Sequence, residues 1–180
     1  MLALSDENES KIRSLIRERN MTQTSLVLPN QLFGKGPPGP EENSVQVVEA
    51  DRYFEDFNFH QKKLLFHRAT MKRYAEKLRE NGREVRYVAQ PDGKPLETTF
   101  RSLSSEDKPV LIYYDPVDHE LRKRLQELSN RFEVKLKKTD NPGFITPIGR
   151  FKDLFEGEDY RMTRFYRDQR RRLDILLDDD

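Results

Sequence analysis

Four polar residues in a row, His60-Gln61-Lys62-Lys63, head the stretch "NFHQKKLLFHRATMKRYAEKLRENG" over residues 58–82. An imidazole and two ammonium groups at the mouth of a helical pattern could meet an anion, a nucleic acid, a chromophore or no ligand at all. The other histidines are His67 and His119. His60 and His67 are seven residues apart, which places them on one helical face but not at the adjacent-turn spacing that chelates zinc. An exposed or hydrogen-bonded histidine is the ordinary state of each. Ser, His and Asp are all present, but nothing resembles Gly-x-Ser-x-Gly, so a hydrolase triad has no support. Gly34-x-Gly36 runs into Pro-Pro-Gly-Pro, which lacks the N–H donors and the following helix of a pyrophosphate cradle. Standard dinucleotide and P-loop sites are rejected on that ground. A response-regulator site would need an acid where Asn30 stands.

A second cluster lies near the C-terminus. Arg161, Arg164, Arg167, Arg170, Arg171 and Arg172 interleave with Phe165 and Tyr166. Arg167, Arg170 and Arg171 are the candidate contacts to nucleic-acid phosphates, with DNA as the partner, since basic and aromatic residues mixed in this way suit phosphates and bases. The competing reading makes Met162, Phe165, Tyr166, Leu173, Leu176 and Leu177 a packing stripe and the arginines its solvated flanks. Packing is the commoner outcome of such a pattern.

These groups need elements to position them. "SDENESKIRSLIRER" (5–19) reads as a short helix capped by Ser5. "TSLVLP", "VQVVEA", "EVRYVA", "PVLIYYD" and "FEVKLKK" read as five strands, the last alternating as an edge strand does. The long helix between strands two and three carries Leu64, Leu65, Ala69, Met71, Tyr74, Ala75 and Leu78 at three- and four-residue steps and stops at Asn81-Gly82. "PLETTFRSL" is a weaker helix, "VDHELRKRLQELSNR" a strongly amphipathic one, and "FGKGPPGPEENS" a loop. "NPGFITPIGRF" is expected to be irregular, and "YRMTRFYRDQRRRLDIL" helical.

Strands that alternate with helices and run nearly continuously apolar predict a doubly wound, Rossmann-like α/β fold: a five-stranded parallel sheet with helices on both faces. Such sheets bind ligands beyond the carboxyl ends of their strands. Those ends carry Asn30-Gln31, Glu49-Ala50-Asp51, Gln90-Pro91-Asp92 and Asp115-Pro116, a ring of polar groups around one crevice. At this ring Glu49 could accept a hydrogen bond from a ligand. The residue alone favours a salt bridge to Lys62 or Lys63.

Composition limits what else the chain can be. Only 34% of residues are hydrophobic against 36% charged, so the core must come from patterned elements. A net charge of +1 gives no overall pull on nucleic acid, so a basic face has to be local. Without cysteine the chain can form no disulfide, thiolate zinc site or iron–sulfur ligation, which suits a reducing, cytoplasmic setting. No apolar run approaches the ~20 residues needed to cross a bilayer, and the acidic start "MLALSDENES" is unlike a signal peptide.

"LVLPNQLF", the run from "VVEADRYF" through "HQKKLLFHRATMKRYAEKLRENGREVRYV", the Asp115-Pro116 after strand four and "RMTRFYRDQRRRLDIL" together resemble the N-terminal region of photolyase-related proteins, the bacterial cryptochrome/photolyase branch that carries an iron–sulfur cluster. The resemblance runs from about Leu26 to Leu177 in order. Its strongest parts are Glu49 ahead of His60-x-Lys62-Lys63, the Met71…Tyr74-Ala75-Glu76 helix, and Met162-x-x-Phe165-Tyr166 with Arg170-Arg171. It implies an α/β antenna domain, which in members that carry one holds 6,7-dimethyl-8-ribityllumazine or a similar chromophore, followed by a helical domain with FAD and the cluster. By this likeness Asn30, Gln31, Glu49, His60, Lys63 and Asp115 face the chromophore. At strand one Pro29-Asn30 stands where better-known relatives have Gly-Asp, leaving an amide in place of a carboxylate. The expected organisation is a helical extension over 1–20, the antenna-like domain over 21–145, and a linker and helix over 146–180 leading to a helical FAD domain outside this sequence. On that reading the chain serves DNA repair or blue-light sensing and is not catalytic by itself. The alternative is a scaffold or nucleic-acid-contacting module without chromophore.

Overall fold

Residues 22–89, 93–156 and 159–176 are described by the computed structural model of the chain. The helix expected over 5–19, the Gln90-Pro91-Asp92 group and Leu177 lie outside them. The chain divides into two units, Met1–Thr139 and Asp140–Asp180.

The first unit holds five strands: β1 (Gln23–Val27), β2 (Ser44–Val48), β3 (Val85–Val88), β4 (Val110–Tyr114) and β5 (Lys135–Thr139). All pair in parallel in the order β3-β2-β1-β4-β5. The chain steps outward from β1 to β3, then returns to lay β4 on the other side of β1. That reversal is the doubly wound arrangement predicted from the alternation of strands and helices, and its switch point, where such sheets commonly bind ligands, falls between the carboxyl ends of β1 and β4.

Helix α1 (Gln61–Glu80) connects β2 to β3 and buries Met71, Ala75 and Leu78 against Val27, Val45 and Val47. His60 caps its start, its Nδ1 accepting from the Lys62 N–H at 3.1 Å. At its end Gly82 takes φ +79, a conformation that spares glycine the Cβ clash. On the opposite face α2 (Pro95–Leu103) and α3 (His119–Phe132) bury Leu96, Phe100, Leu103, Leu121, Leu125 and Leu128 against Leu26, Val48, Leu111 and Tyr113. Each such side chain removed from water contributes about 1.5–3 kcal/mol. This is how a chain only 34% hydrophobic fills two cores. Asp118 caps α3 by accepting from the Leu121 N–H at 3.0 Å.

No helix joins β1 to β2. The loop over residues 28–43 packs on the sheet instead, held by Ser25 donating to the Pro38 carbonyl (2.6 Å), Tyr74 donating to the Phe33 carbonyl (3.1 Å) and Tyr114 donating to the Gly36 carbonyl (3.1 Å). Gly39 sits at φ +85, where an added Cβ would lie 2.9 Å from Ile112 Cδ1.

In the second unit α4 (Ile148–Leu154) and α5 (Met162–Leu173) are the helices of the described residues. The irregular course expected for "NPGFITPIGRF" stops short of its end, because the last four residues, Ile148–Phe151, open α4. Pro147 explains the start, because it fixes the chain just ahead of a first turn that needs no internal donor. Phe151 is the hub of an aromatic cluster, with centroids 5.2 Å from Phe155, 5.7 Å from Tyr160 and 5.4 Å from Phe165. The apolar stripe expected along α5 is broken. Phe165 and Leu173 are partly buried, whereas Met162, Tyr166 and Leu176 are exposed.

Candidate functional site

The carboxyl end of β1 turns into the loop that carries Asn30 and Gln31. Gln31 is buried and donates through Nε2 to the Tyr114 carbonyl at 3.1 Å, which ties the loop to the end of β4. Its Oε1 is also buried and finds no partner among the described residues. Asn30 is exposed and hydrogen-bonds the Tyr53 side chain. Burial first, then the nearby Asp118 carboxylate, pushes the Tyr53 phenol up to about 12.

Beside this loop runs an open trough of about 840 Å³. Pro29, Leu32 and Phe33 form its loop side, and Phe66, Ala69 and Tyr74 of α1 its helix side. Asn30, His67, Thr70, Arg73 and Lys77 supply polar edges. Phe66 stays exposed although it points into a largely apolar lining, so the trough is a surface with aromatic area left uncovered. His67 lies among Tyr53, Phe54 and Phe66, at centroid distances of 6.3, 6.1 and 6.4 Å. Burial, and secondarily the Lys63 charge, pushes its pKa below the ordinary histidine value, so it is neutral at pH 7 and can both donate and accept.

Glu49, at the end of β2, is buried. It accepts the Tyr87 hydroxyl at 2.6 Å, and the Arg68 Nε lies 3.1 and 3.3 Å from its two oxygens. The ion pair expected with Lys62 or Lys63 is thus made with Arg68, farther along the same helix. The reason is geometric: Arg68 falls four residues after Leu64 and three before Met71, on the stripe of α1 that faces the sheet. Lys62 and Lys63 stand on the exposed first turn. Arg68 is also the residue that sequence reasoning missed. A charged side chain inside an apolar helical stripe signals a buried counter-charge, and Glu49 at a strand end was the available one.

The remaining predicted residues separate. His60 is an exposed helix cap. Lys63 places its ammonium 3.7 Å from the centroid of the Phe59 ring. Asp115, just after β4, pairs with Lys138 of β5 at 3.3 Å and lies 3.9 Å from Arg122 of α3. Of the six, Asn30 lines the trough, Gln31 anchors the loop that forms its wall, and Glu49 holds α1, which forms the other wall.

Among the C-terminal candidates, Arg167 and Arg171 line a basin on α5, while the Arg170 guanidinium stacks 5.9 Å from the Tyr166 centroid. Among the described residues no group of three or more His, Cys, Asp or Glu could hold a metal ion, and no helix is long and apolar enough to cross a membrane.

The family model described as deoxyribodipyrimidine photo-lyase-related protein matches residues 25–180. The chain is similar to "Uncharacterized protein R852" of Acanthamoeba polyphaga mimivirus, 29% identical over 173 residues, which cover 88% of this chain and 86% of that protein. It is also similar to a "(6-4) photolyase" of Agrobacterium fabrum, 24% identical over 166 residues, which cover 87% of this chain but 33% of that protein. The chain therefore spans about a third of the length of that photolyase. The chain belongs to the photolyase-related family.

Proposed function

We propose, from that membership, that the α/β unit is an antenna-type module of the iron–sulfur-bearing cryptochrome/photolyase branch, and that its trough holds a light-harvesting chromophore of the ribityllumazine class. The observation that carries this reading is the trough beside the carboxyl end of β1, apolar and aromatic on its walls and polar along its edges. A flat heterocycle needs that combination: apolar faces to cover its rings and a few placed polar groups to fix its orientation. The residues present suit it. Phe33 and Phe66 offer ring faces, Asn30 and neutral His67 offer both donors and acceptors to a dione edge, and Thr70, Arg73 and Lys77 suit a hydroxylated tail. Bound there, the chromophore would absorb light and pass the excitation on.

This chain's own part is to hold, orient and shield the chromophore. Glu49, through Arg68, fixes α1, and Gln31 fixes the loop, so both walls stand at a set separation. The receiving flavin and the iron–sulfur cluster belong, on this reading, to a helical FAD domain working with this unit in DNA repair or blue-light sensing. A chain without cysteine supplies no cluster ligands of the usual kind.

The test is a titration of 6,7-dimethyl-8-ribityllumazine followed by its fluorescence anisotropy. Saturable binding is expected, and Ala69→Trp, which fills the trough from an exposed position, should abolish it while the melting temperature holds. Absence of binding, or equal binding by the variant, would remove the antenna reading and leave the unit a scaffold.

A further inference from the structure

The two faces of the sheet are covered unequally. Helices α2 and α3 pack on one face, while the other carries α1 and the loop over residues 28–43, because no helix joins β1 to β2. The trough lies on that second face, between the loop and α1. Along the flank of α1 that looks toward the loop, Phe66, Thr70, Arg73 and Lys77 recur at steps of four, three and four residues. That is the spacing of a seam between two helices. Phe66, at its head, is 66% exposed. From Phe66 to Lys77 the seam is about 17 Å long at ~1.5 Å of rise per residue.

The chain itself supplies a matching segment. The stretch over 5–19, "SDENESKIRSLIRER", precedes the described residues and sets Ile12, Leu15 and Ile16 on one helical face. As a helix it would be about 22 Å long. Asn20, Met21 and Thr22 separate it from Gln23, the first residue of β1. Three residues reach about 10 Å, so the segment has to end near the amino ends of the strands. Helix α1 ends there too, since residues 81–84 lead from it into β3. A helix in the trough would therefore run parallel to α1, in the place and direction of the crossover helix that the β1–β2 connection omits.

Charge agrees with that direction. Arg73 and Lys77 edge the trough, and no acidic residue lines it among the described residues. Lys63 stands one turn ahead of Phe66 on the same helix. Parallel packing brings Asp6, Glu7 and Glu9 to the Lys63 end, whereas the reverse direction would bring Arg13, Arg17 and Arg19 there. The tether to β1 also gives the segment an effective concentration on the order of millimolar, which a separate molecule would have to exceed.

We propose that residues 5–19 dock as a helix along this flank of α1, with Ile12, Leu15 and Ile16 set against Phe66 and the aliphatic parts of Thr70 and Arg73. The docking needs no chromophore. Where the trough holds one, the segment is the outer wall that its open side lacks, since a ligand pocket covers most of its ligand.

The chain has no cysteine, so an introduced pair reads proximity without background. Ile12→Cys/Thr70→Cys, in the full chain without chromophore, should be joined by a short bismaleimide into a product of monomer mass. Such a linker tolerates a shift of one helical turn. Ile12→Cys/Gln126→Cys places the second thiol on α3, across the sheet, and should stay unlinked. Adding Leu15→Asp/Ile16→Asp to the first pair should abolish the crosslink while the melting temperature of the α/β unit holds, because undocking a terminal segment is a local event. No product of monomer mass, equal yields for the two pairs, or a yield unchanged by the aspartates would overturn the proposal. So would a predominant product of twice the mass whose yield rises with protein concentration, which would assign the trough to a second copy of the chain. Since none of these readouts involves lumazine, the docking and the chromophore reading fail separately.

Discussion

The Tyr87 hydroxyl donates to the Glu49 carboxylate at 2.6 Å, bridging the neighbouring strands β3 and β2 near their carboxyl ends. Arg68 reaches the same carboxylate from α1, so one buried acid joins two strands and a helix.

Removing that acid should therefore cost stability. Glu49→Ala leaves Tyr87 and Arg68 without their shared acceptor. Breaking a buried pair costs about 3–5 kcal/mol, and because Arg68 is 38% exposed and can turn to water the expected loss is nearer 2–3 kcal/mol. Glu49→Gln, which keeps an acceptor for Tyr87, should lose less. Denaturant melts of the two variants measure the difference, and an Ala variant as stable as the parent would show that α1 is held by its apolar stripe alone.

Three half-buried phenols set an alkaline limit. Burial pushes Tyr53 and Tyr74 up to about 12 from an ordinary value of 10.0, and burial together with Glu49 pushes Tyr87 higher still. The folded chain keeps these protons while the unfolded chain gives them up. Their contribution is thus fully present below pH 10 and is lost as pH rises from 10 toward 12. Stability should fall across that window, with phenolate absorbance from these residues appearing together with unfolding. Phenolate that titrates fully while the circular dichroism stays native would contradict this.

His67 acts on the acid side. Its pKa is lowered in the fold, so the unfolded chain takes up the proton first and stability declines as pH drops below the ordinary value of 6.5. His67→Gln should reduce that decline, read as the change in denaturation midpoint with pH. Identical pH profiles would place the proton elsewhere.

In the C-terminal unit Phe151→Ala should be the most damaging aromatic substitution, since it removes three ring pairs at once. At ~0.5–1.5 kcal/mol for each pair, the loss is about 2–4 kcal/mol. Phe165→Ala removes one of the three and should cost less. Hydrogen exchange of α4 and α5 amides would read this locally.

Gly39→Ala tests the loop that replaces a helix. The new Cβ must hold φ +85 and would sit 2.9 Å from Ile112 Cδ1 and 3.0 Å from Asn43 Nδ2. Both neighbours are side-chain ends that can shift, so a destabilisation of about 1–3 kcal/mol is expected in a thermal melt.

All five strands and helices α1, α2 and α3 were legible, most clearly where the repeat is clean: near-continuous apolar runs for β1, β2 and β4, and three-four spacing for α1 and α3. Helix α4 escaped because seven residues, led in by prolines and glycines, give periodicity too little length to register. At the site, chain position brought Asn30, Gln31 and Glu49 to the right end of the sheet, but partners are chosen by side-chain direction. Arg68 outcompeted two lysines closer in sequence to Glu49 by facing the sheet. The arginine cluster showed its charge in the sequence and hid its division of labour. Nothing in a run of Arg residues tells that Arg172 binds a carbonyl at 145 while Arg171 binds nothing among the described residues.

The place of β1 at the sheet's centre also governs how the chain can be made. Leu26 pairs with Gln46 on one side and with Tyr113 on the other. During synthesis β1, β2 and β3 emerge before β4, and the second neighbour of β1 follows only after α2 and the turns around it. At roughly 5–20 residues per second the stretch from Val88 to Val110 takes about 1–4 s. For that interval the most apolar part of the sheet has an open edge, a row of unpaired N–H and carbonyl groups to which another nascent chain can add. A ribosome stalled before Val110 would release a chain fit for edge-to-edge association, and one that has passed Tyr114 would release a chain whose central strand is already closed on both sides.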